Sequence, residues 1–188
     1  MHQRDKINTV NIIEKVWLPC FVKPNRSGSS FGISKVYKEE NLEDAIVKAF
    51  KEDEEILIES FLDGKEVSVG IIEYHGKIEV LPITEIVSEN DFFDYEAKYN
   101  GKSKEITPAR ISEVEKKKVI NTARKVYHVL NMSGFSRSEF ILVNGEPYFL
   151  EINTVPGMTE ESLLPQQAKE ASISLTDLFD NAIKMALN

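Results

Sequence analysis

The sequence has few cysteines and little positive charge, and both shortages restrict what the protein can be. Cys20 is the single cysteine among 188 residues, so the chain cannot form an internal disulfide, which fits a reducing compartment. Its place in the apolar run Cys20-Phe21-Val22 favours a buried strand residue over a nucleophile. Lysine and arginine number 23 against 31 aspartates and glutamates, which gives a formal charge of −8. No basic stripe offsets this charge, so we expect no nucleic-acid partner.

Long hydrophobic runs and clustered histidines are also missing. No apolar segment approaches the roughly 20 residues of a membrane span, and the N-terminus has no charged-then-apolar targeting pattern. We therefore expect a cytoplasmic protein with no membrane partner. His2, His75 and His128 are spread along the chain, and no Ser-His-Asp or Cys-His arrangement stands out. The sequence thus gives no support to nucleophilic hydrolysis.

Strand and helix patterns alternate irregularly, which predicts an α+β fold rather than a doubly wound parallel sheet. Short strands are predicted at 20–23, 33–37, 56–59, 66–72 and 78–82, and helices at 41–50, 163–171 and 175–187. Ser112 and Glu115 form a capping box that begins a further long helix. Segment 88–108 is polar and is predicted to be irregular. The turn Asp63-Gly64 is a plausible boundary between two lobes, at 1–62 and 63–188.

Acidic and amide side chains lie in the middle of two apolar segments near the C-terminus. Glu139 comes before Asn144-Gly145, a strong hairpin signal, and Glu151 and Asn153 come after it. Strand residues two apart share a face, so Glu151 and Asn153 point the same way. Carboxylate and amide oxygens suit a hard cation such as magnesium. The pattern therefore predicts a metal site on this hairpin.

The length of the hairpin loop decides whether the two carboxylates meet. With a two-residue loop, Glu139 would lie on the opposite face from Glu151, whereas a three-residue loop or a bulge at Gly145 would bring them together. The apolar residues favour the second arrangement, because a single buried side would then hold Phe140, Leu142, Leu150 and Ile152. The alternative is an ordinary hairpin with one solvated face.

Two earlier segments have features of a nucleotide site. The loop from Gly28 to Gly32 is rich in backbone donors and hydroxyls, as phosphate-binding loops are, and Lys23 precedes it at the end of a strand. Segment 56–62 ends a strand with exposed backbone and apolar side chains, which suits an adenine. The alternatives are a plain mobile turn and an ordinary strand-turn-strand.

A third segment, 94–99, combines charges and aromatics in a long loop. Loops of this length in compact domains are often functional lids, in which a lysine can neutralise phosphates and a tyrosine can shield them from water. Lys98 and Tyr99 are the candidates for those two roles. The alternative is a solvated surface loop with a few packed aromatics.

Taken in order, these motifs resemble those of D-alanine–D-alanine ligases, which belong to the ATP-grasp superfamily. The resemblance runs from about Pro19 to Ala186. Its most specific parts are Phe-Val-Lys23-Pro with Gly-Ser29-Ser30-Phe-Gly, the 94–99 segment, and Glu151-Ile-Asn153-Thr-Val-Pro-Gly157-Met-Thr followed by Ser162-Leu163-Leu164-Pro165. The resemblance implies an α+β, ATP-grasp fold whose two lobes, with antiparallel sheets and flanking helices, clamp ATP.

The resemblance also implies a role for each matching residue. Lys23 and Lys98 would contact the ATP phosphates, Glu66 would hold the ribose, and the adenine pocket would be lined by Glu59, Ser60, Phe61 and Leu62. Two magnesium ions, or manganese in their place, would be held by Glu139, Glu151 and Asn153, with Glu151 bridging.

The remaining implied roles concern the reaction and its substrates. Arg137 and the backbone N–H of Gly157 would stabilise the oxyanion of the tetrahedral intermediate. Ser162 and Leu163 would bind the carboxylate of the second D-alanine. Ser29 and Tyr99 would join the hydrogen-bond network that orders the lid. Position 139 is Glu where the family usually has Asp.

The implied reaction forms D-alanyl-D-alanine for peptidoglycan synthesis through an acyl phosphate. The family's N-terminal domain has no counterpart before Pro19, so we expect an incomplete, catalytic portion of a longer enzyme, inactive or nearly so in isolation. Members of the family are often dimeric, so the resemblance implies a homodimer for the longer enzyme. Two alternatives stay open: a non-catalytic ATP- and magnesium-binding module, and a ligase for another carboxylate-amine pair.

Overall fold

The chain divides into two compact units in a computed structural model that describes residues 1–28, 30–88 and 103–187. One unit contains Met1–Leu62, and the other contains Asp63–Val87 and Lys104–Asn188. The assignment of 1–62 and 63–188 to two ATP-grasp lobes stays a prediction. Within the described ranges, no helix has the length and apolar character needed to cross a bilayer.

The first unit is a three-stranded antiparallel sheet with two helices. Its elements are α1 (Thr9–Val16), β1 (Cys20–Pro24), β2 (Ser34–Val36), a 3₁₀ turn at Glu39–Asn41, α2 (Leu42–Ala49) and β3 (Ile56–Ser60). The strand order is β2-β1-β3. Cys20 and Val22 are fully buried in a cluster with α2 residues. Phe21 and Lys23 alternate with them and so lie on the other face.

The second unit has a larger antiparallel sheet and three helices. Its elements are β4 (Lys65–Tyr74), β5 (Lys77–Val80), β6 (Thr84–Ser88), β7 (Ser103–Ile106), α3 (Glu113–Val129), β8 (Phe135–Val143), β9 (Glu146–Asn153), α4 (Leu163–Glu170) and α5 (Leu175–Ala186). The strand order is β7-β6-β4-β8-β9, and β5 pairs with the second half of β4. The prediction that 88–108 is irregular is wrong where β7 lies.

Both faces of the β4–β8 sheet are covered by helices. Val67, Val69 and Ile71 pack in one cluster with Val119, Ala123 and Tyr127 of α3. On the other face, Ile72 packs with Leu164 and Ala168 of α4 and Leu178 of α5. Ser68 and Gly70, two and four residues before Ile72, therefore lie on the face that α4 covers.

The capping box predicted for α3 is confirmed. The Ser112 hydroxyl accepts a hydrogen bond from the Glu115 N–H at 3.3 Å, and the Ser112 N–H donates to the Glu115 carboxylate at 2.8 Å. The Glu115 carboxylate accepts from the Ser112 N–H and, at 2.7 Å, from the Ser112 hydroxyl, and these two bonds lower the pKa of Glu115. Asn41 is the N-cap residue of α2, as predicted, but its side chain makes no capping hydrogen bond to the helix.

The hairpin of β8 and β9 corrects the expected position of its irregularity. Val143 pairs with Glu146 across a two-residue turn, in which Asn144 and Gly145 have φ of 52° and 77°. A three-residue loop or a bulge at Gly145 is therefore wrong. The register instead shifts between Glu139 and Phe140, because Phe140 pairs with Phe149 while Glu139 pairs with Glu151. Leu150 is thus the extra residue of a β-bulge in β9.

The bulge changes which side chains share the buried side. Phe140 and Leu142 are 0% and 5% exposed, as predicted, whereas Leu150 and Ile152 are only half-buried. Leu150 has no cross-strand partner because it is the inserted residue. The consequence is that Glu139 and Glu151 face the same way despite a two-residue turn.

Candidate functional site

Four polar side chains of β8 and β9 lie together on one face of the sheet. Arg137 pairs with Asn153 in register, and Glu139 pairs with Glu151. Residues directly opposite each other on antiparallel strands point to the same side, so Arg137, Glu139, Glu151 and Asn153 form one group. We call it the hairpin cluster. Its face is also the face of Ser68 and Gly70, which pair with Glu139 and Arg137 on β4.

The hairpin cluster is held together by short polar contacts. Arg137 Nη2 donates to Glu139 Oε1 at 2.8 Å. Asn153 Nδ2 lies 3.4 Å from Glu139 Oε1 and 3.5 Å from Glu151 Oε1, so a single amide group reaches both carboxylates. Glu139 is buried, with 5% exposure, while Glu151 is exposed. One carboxylate is therefore fixed by the fold, and the other faces solvent.

The donor set of the hairpin cluster fits a hard divalent cation. Glu139, Glu151 and Asn153 offer only oxygen ligands, the kind that magnesium takes in proteins. The Asn153 amide lies between the two carboxylates, and a half-turn about its last torsion would place Oδ1 where Nδ2 now lies. Within the described ranges no three His, Cys, Asp or Glu side chains group as a metal site, so this set depends on the amide as its third ligand.

Arg137 has donor capacity that the described residues do not use. Its Nε is buried and has no hydrogen-bond partner in the described parts of the chain, and its side chain as a whole is 17% exposed. A buried guanidinium N–H without a partner is costly unless a ligand or water satisfies it. The arrangement suits an anionic or carbonyl oxygen beside Arg137.

Glu105 of β7 joins the hairpin cluster to the beginning of α4. Its carboxylate accepts a hydrogen bond from Gln166 and is attracted by the Arg137 guanidinium, and both effects lower its pKa. Desolvation of the carboxyl group, although the residue as a whole is exposed, outweighs them and raises the pKa of Glu105, and repulsion from Glu161 adds to the rise. Arg137, Gln166 and Glu161 thus all act on one carboxylate.

The N-terminus of α4 is shaped for a small anion. Ser162 is the N-cap residue, but its hydroxyl contacts Thr159 at 2.8 Å and 3.2 Å and makes no capping bond to the helix. First-turn N–H groups without a side-chain cap form an anion-binding site. Gly157 lies close by, because a Cβ at that position would come 2.7 Å from Ser162 Oγ. Leu163 is buried, so its backbone N–H rather than its side chain is available for binding.

Lys23 and Glu59 of the first unit form an ion pair. Lys23 Nζ lies 2.6 Å from a Glu59 carboxylate oxygen, with the two side chains 16% and 40% exposed. Both project from the face of the sheet opposite α2. Lys35 covers the ring of Phe61 on this unit, with its Nζ 3.8 Å from the ring centre.

The rest of the predicted nucleotide-binding residues lie at the end of β3 and on β4. Ser60 is exposed, and Phe61 and Leu62 are half-buried, with the Phe61 N–H donating to the Pro19 carbonyl at 3.1 Å. Glu66 is half-buried on β4, two residues before Ser68, and so shares the face of the hairpin cluster. Ser29, Lys98 and Tyr99 lie outside the described residues.

A second carboxylate–arginine pair lies elsewhere in the same unit. Arg110 donates to both oxygens of Glu85, from Nε and Nη2 at 2.8 Å each, and its backbone N–H donates at 3.2 Å. Lys65 Nζ approaches the same carboxylate at 3.4 Å. The hydrogen bonds from Arg110 lower the pKa of Glu85 to about 2 although its burial acts in the opposite direction. We call this group the Glu85 cluster.

Sequence reasoning missed two residues that the structure brings to the site. Glu105 falls in the segment predicted to be irregular, where no motif distinguishes it. Gln167 is fully buried on the apolar face of α4, between Leu164 and Ala168. Its polar side chain inside an apolar stripe was a usable signal, because amides are seldom fully buried.

Comparison with known proteins places these features in one family. The family model described as "D-ala D-ala ligase C-terminus" matches residues 1–184. The D-alanine–D-alanine ligase of Flavobacterium johnsoniae is 67% identical over 187 residues, which are 100% of this chain and 58% of that protein. The chain therefore spans less than two thirds of this relative. The match begins at residue 1, so the expected beginning near Pro19 is wrong.

Solved structures agree with the sequence matches. The D-alanine–D-alanine ligase of Bacillus anthracis complexed with ATP superimposes with a TM-score of 0.84 at 28% identity, covering 100% of this chain and 58% of that chain. The VanG D-Ala:D-Ser ligase of Enterococcus faecalis gives 0.80 at 35% identity, covering 93% and 52%. The predicted α+β, ATP-grasp fold is thereby confirmed.

Proposed function

This chain belongs to the D-ala D-ala ligase C-terminus family, and from that membership we propose that it forms the catalytic portion of an enzyme that joins two D-alanines at the expense of ATP. The observation that carries the proposal is the hairpin cluster. A hairpin that served packing alone would not require the carboxylates of Glu139 and Glu151 on one face with the Asn153 amide between them.

Most of the residues that would bind the nucleotide belong to the first unit, and Glu66 belongs to the second. ATP is the ligand of the similar Bacillus anthracis ligase, which supports the same nucleotide here. Lys23 would exchange its Glu59 partner for phosphate oxygens, since an ammonium at the end of a strand is a point charge that phosphates attract. The adenine would lie against the segment of Glu59, Ser60, Phe61 and Leu62. Glu66 would accept hydrogen bonds from the ribose.

The hairpin cluster would hold two magnesium ions, or manganese, through Glu139, Glu151 and Asn153, with Glu151 shared. Bound there, the ions would neutralise the charge of the phosphates during transfer. Glu139 would give a rigid ligand because the fold fixes it, whereas the exposed Glu151 would be free to accommodate both ions. Glu in place of the family's usual Asp at 139 would move its ion outward by about one methylene.

Arg137 and α4 would act on the two amino acids. The carboxylate of the first D-alanine would attack the γ-phosphoryl group, releasing ADP and forming an acyl phosphate. The amine of the second D-alanine would then attack the carbonyl carbon, losing a proton as phosphate leaves. Arg137 and the Gly157 N–H would stabilise the oxyanion of this step. The carboxylate of the second D-alanine would bind the Ser162 hydroxyl and the Leu163 N–H at the start of α4.

Three further assignments stay predictions because their residues lie outside the described ranges. Lys98 would contact the phosphates, and Ser29 and Tyr99 would order the groups that cover them. The similarity to a D-Ala:D-Ser ligase makes D-serine the alternative second substrate. D-serine is accordingly the comparison acceptor in the assay below.

The test is phosphate release and dipeptide formation by the natural full-length protein with ATP, magnesium and D-alanine, with L-alanine and D-serine as comparison substrates. We expect D-alanine-dependent turnover that Glu151→Ala abolishes and Glu79→Ala, an exposed strand glutamate of the same sheet, leaves intact. Magnesium-dependent ATP binding without dipeptide formation would instead favour a non-catalytic nucleotide-binding module. Preference for another amine would reassign the substrate.

A further inference from the structure

Gln167 is an amide in a position where the fold calls for an apolar residue. It is 0% exposed on α4, and its neighbours Leu164 and Ala168 pack in the core between α4 and the sheet. A leucine or methionine of similar volume would fill this space without a polar atom. An amide is the better residue at this buried position only if its hydrogen bonds have an effect that the packing of an apolar side chain cannot have.

The Gln167 side chain ties α4 to two strands. Its Nε2 donates to the Ser68 carbonyl of β4 at 3.0 Å and to the Thr84 hydroxyl of β6 at 2.9 Å. The Thr84 hydroxyl in turn lies 2.6 Å from the Thr107 hydroxyl, just after β7. Two strands of one sheet are therefore linked to α4 through a single side chain, and Thr84 extends the link to the residue that follows β7.

The sheet leaves room for this amide at one glycine. A Cβ on Gly70 would come 2.6 Å from Gln167 Oε1, so Gly70 is the residue that lets the amide approach β4. On the opposite edge of β4, Ser68 pairs with Glu139 and Gly70 pairs with Arg137. Gln167 thus rests on the two β4 positions that pair with Glu139 and Arg137, on the same face of the sheet as the hairpin cluster.

The hydrogen-bonding capacity of the Gln167 side chain is only partly used. In the part of the chain that the structure describes, Oε1 is buried with no hydrogen-bond partner. An unsatisfied buried acceptor lowers stability, so the residue is a poor choice if it serves stability alone. What Gln167 provides beyond apolar packing is the two directional hydrogen bonds that its Nε2 donates.

We propose that Gln167 is a positioning residue that sets the start of α4, with Ser162 and Leu163, against Arg137 and Glu139. Its catalytic consequence rests on the function proposed above; its effect on the order of α4 does not. Because substrate carboxylate and reacting carbonyl would be held by two different elements, their separation depends on how α4 sits on β4. A shift of about 1 Å between such groups can cost roughly 100-fold in rate.

A first experiment measures hydrogen exchange on the 188-residue chain carrying Gln167→Leu, with Asn181→Leu as the matched control. Asn181 is also a buried amide that ties a helix to the sheet, donating to the Glu73 carbonyl at 2.7 Å and accepting from the His75 N–H at 3.1 Å. We expect the backbone N–H groups in segment 162–166, where Pro165 has none, to exchange roughly 10-fold faster in Gln167→Leu and at an unchanged rate in Asn181→Leu. Equal protection in both variants overturns the inference.

A second experiment measures kinetics of the same variants in the natural full-length protein. Gln167→Leu should raise the KM for the second D-alanine roughly 10-fold with an unchanged KM for ATP, whereas Asn181→Leu should change neither. If Gln167→Leu fails to fold, Thr84→Val removes one of the two contacts and should show the same split at a smaller size.

The two experiments separate the two proposals. Unaltered kinetics in a variant with faster exchange at 162–166 overturns the positioning role while leaving the ligase function standing. Absence of any turnover by the unsubstituted protein overturns the ligase function and the catalytic part of the inference. The exchange result then still decides whether Gln167 orders the start of α4.

Discussion

Two arginine–glutamate pairs of the second unit have the same 2.8 Å contact and different surroundings. In the Glu85 cluster, Arg110 engages both carboxylate oxygens, its own N–H adds a third bond, and Lys65 lies at 3.4 Å. In the hairpin cluster, Arg137 donates an Nη2 bond to Glu139, and its buried Nε has no partner among the residues that the structure describes. The first group has its hydrogen bonds satisfied within the fold, as a structural ion pair does, and the second retains capacity for a ligand. An ion pair alone is therefore no evidence of a binding site. Buried polar atoms of the pair that lack a hydrogen-bond partner are such evidence.

The largest expected effect breaks the hairpin cluster and leaves the Glu85 cluster intact. Inserting one alanine between Leu150 and Glu151 places that alanine opposite Glu139, so with an unchanged two-residue turn and the existing one-residue bulge Glu151 and Asn153 move to the opposite face of the sheet. We expect magnesium-dependent ATP binding to fall by more than roughly 100-fold, beyond the usual effect of a change that only disturbs a ligand's support. Calorimetric titration checks this. Leu150→Ala keeps the residue count and should bind normally; loss of binding there too would contradict the parity argument.

The next effect separates the two arginines by substituting each in turn. Arg137→Ala should lower kcat by roughly 100- to 1000-fold, as loss of an oxyanion donor does. It should change the urea midpoint of unfolding less than Arg110→Ala, because Glu139 loses one hydrogen bond and keeps the Asn153 contact, whereas Glu85 loses both bonds from the Arg110 side chain. Arg110→Ala should do the reverse, lowering the urea midpoint because it leaves buried Glu85 without its main partner, with little change in kcat. Steady-state kinetics and urea unfolding are measured on both proteins. Equal effects of the two variants on both measurements would end the distinction between the clusters.

A third prediction uses pH to sharpen the same contrast. Glu85 has a pKa of about 2 in the fold against 4.5 ordinarily, so its contribution is complete above pH 4.5 and is lost as the pH falls toward 2. Glu85→Gln should lower the free energy of unfolding by about 1–2 kcal/mol at pH 7. The difference from the unsubstituted protein should shrink between pH 4.5 and 3. Urea unfolding at pH 7 and pH 3 is the measurement, and a constant difference would show that the carboxylate charge is not what stabilises the cluster.

The smallest effect concerns the outer member of the Glu85 cluster. Lys65 is half-exposed, and its Nζ lies 3.4 Å from Glu85, so Lys65→Gln should lower the free energy of unfolding by less than about 1 kcal/mol. Thermal or urea unfolding at low and high salt checks it. A loss as large as that of Glu85→Gln would mean that Lys65, and not Arg110, closes the cluster.

Local signals were sufficient to predict much of the fold. Ser112 and Glu115 are an N-terminal pattern with its own physical cause, and the α3 helix begins there as predicted. Asn144-Gly145 predicted the hairpin for the same reason, since both residues adopt positive φ at low cost. The α1 helix was not predicted, because it lies in a polar, mixed-charge stretch; Asn8, which caps it by accepting from the Asn11 N–H at 3.0 Å, was the signal available.

The site was less predictable where it depends on pairing between distant segments. The sequence placed Glu139, Glu151 and Asn153 on neighbouring strands, but the position of the bulge was wrong, since nothing local distinguishes Leu150 from its neighbours. Glu105 is separated from Arg137 by 32 positions in the printed numbering, and only the sheet order brings their strands into one unit. Contacts of that kind follow from topology, which residue patterns specify only in part.

The Lys23–Glu59 ion pair has a consequence for nucleotide exchange. The Lys23 ammonium must break its ion pair with Glu59 before it can bind a phosphate, and this lowers the affinity for the nucleotide. When ADP dissociates, the Glu59 carboxylate pairs with the Lys23 ammonium again, so the lysine is not left as an unpaired charge. We expect Glu59→Gln to slow ADP dissociation in stopped-flow displacement, and an unchanged dissociation rate would show that the pairing plays no part in turnover.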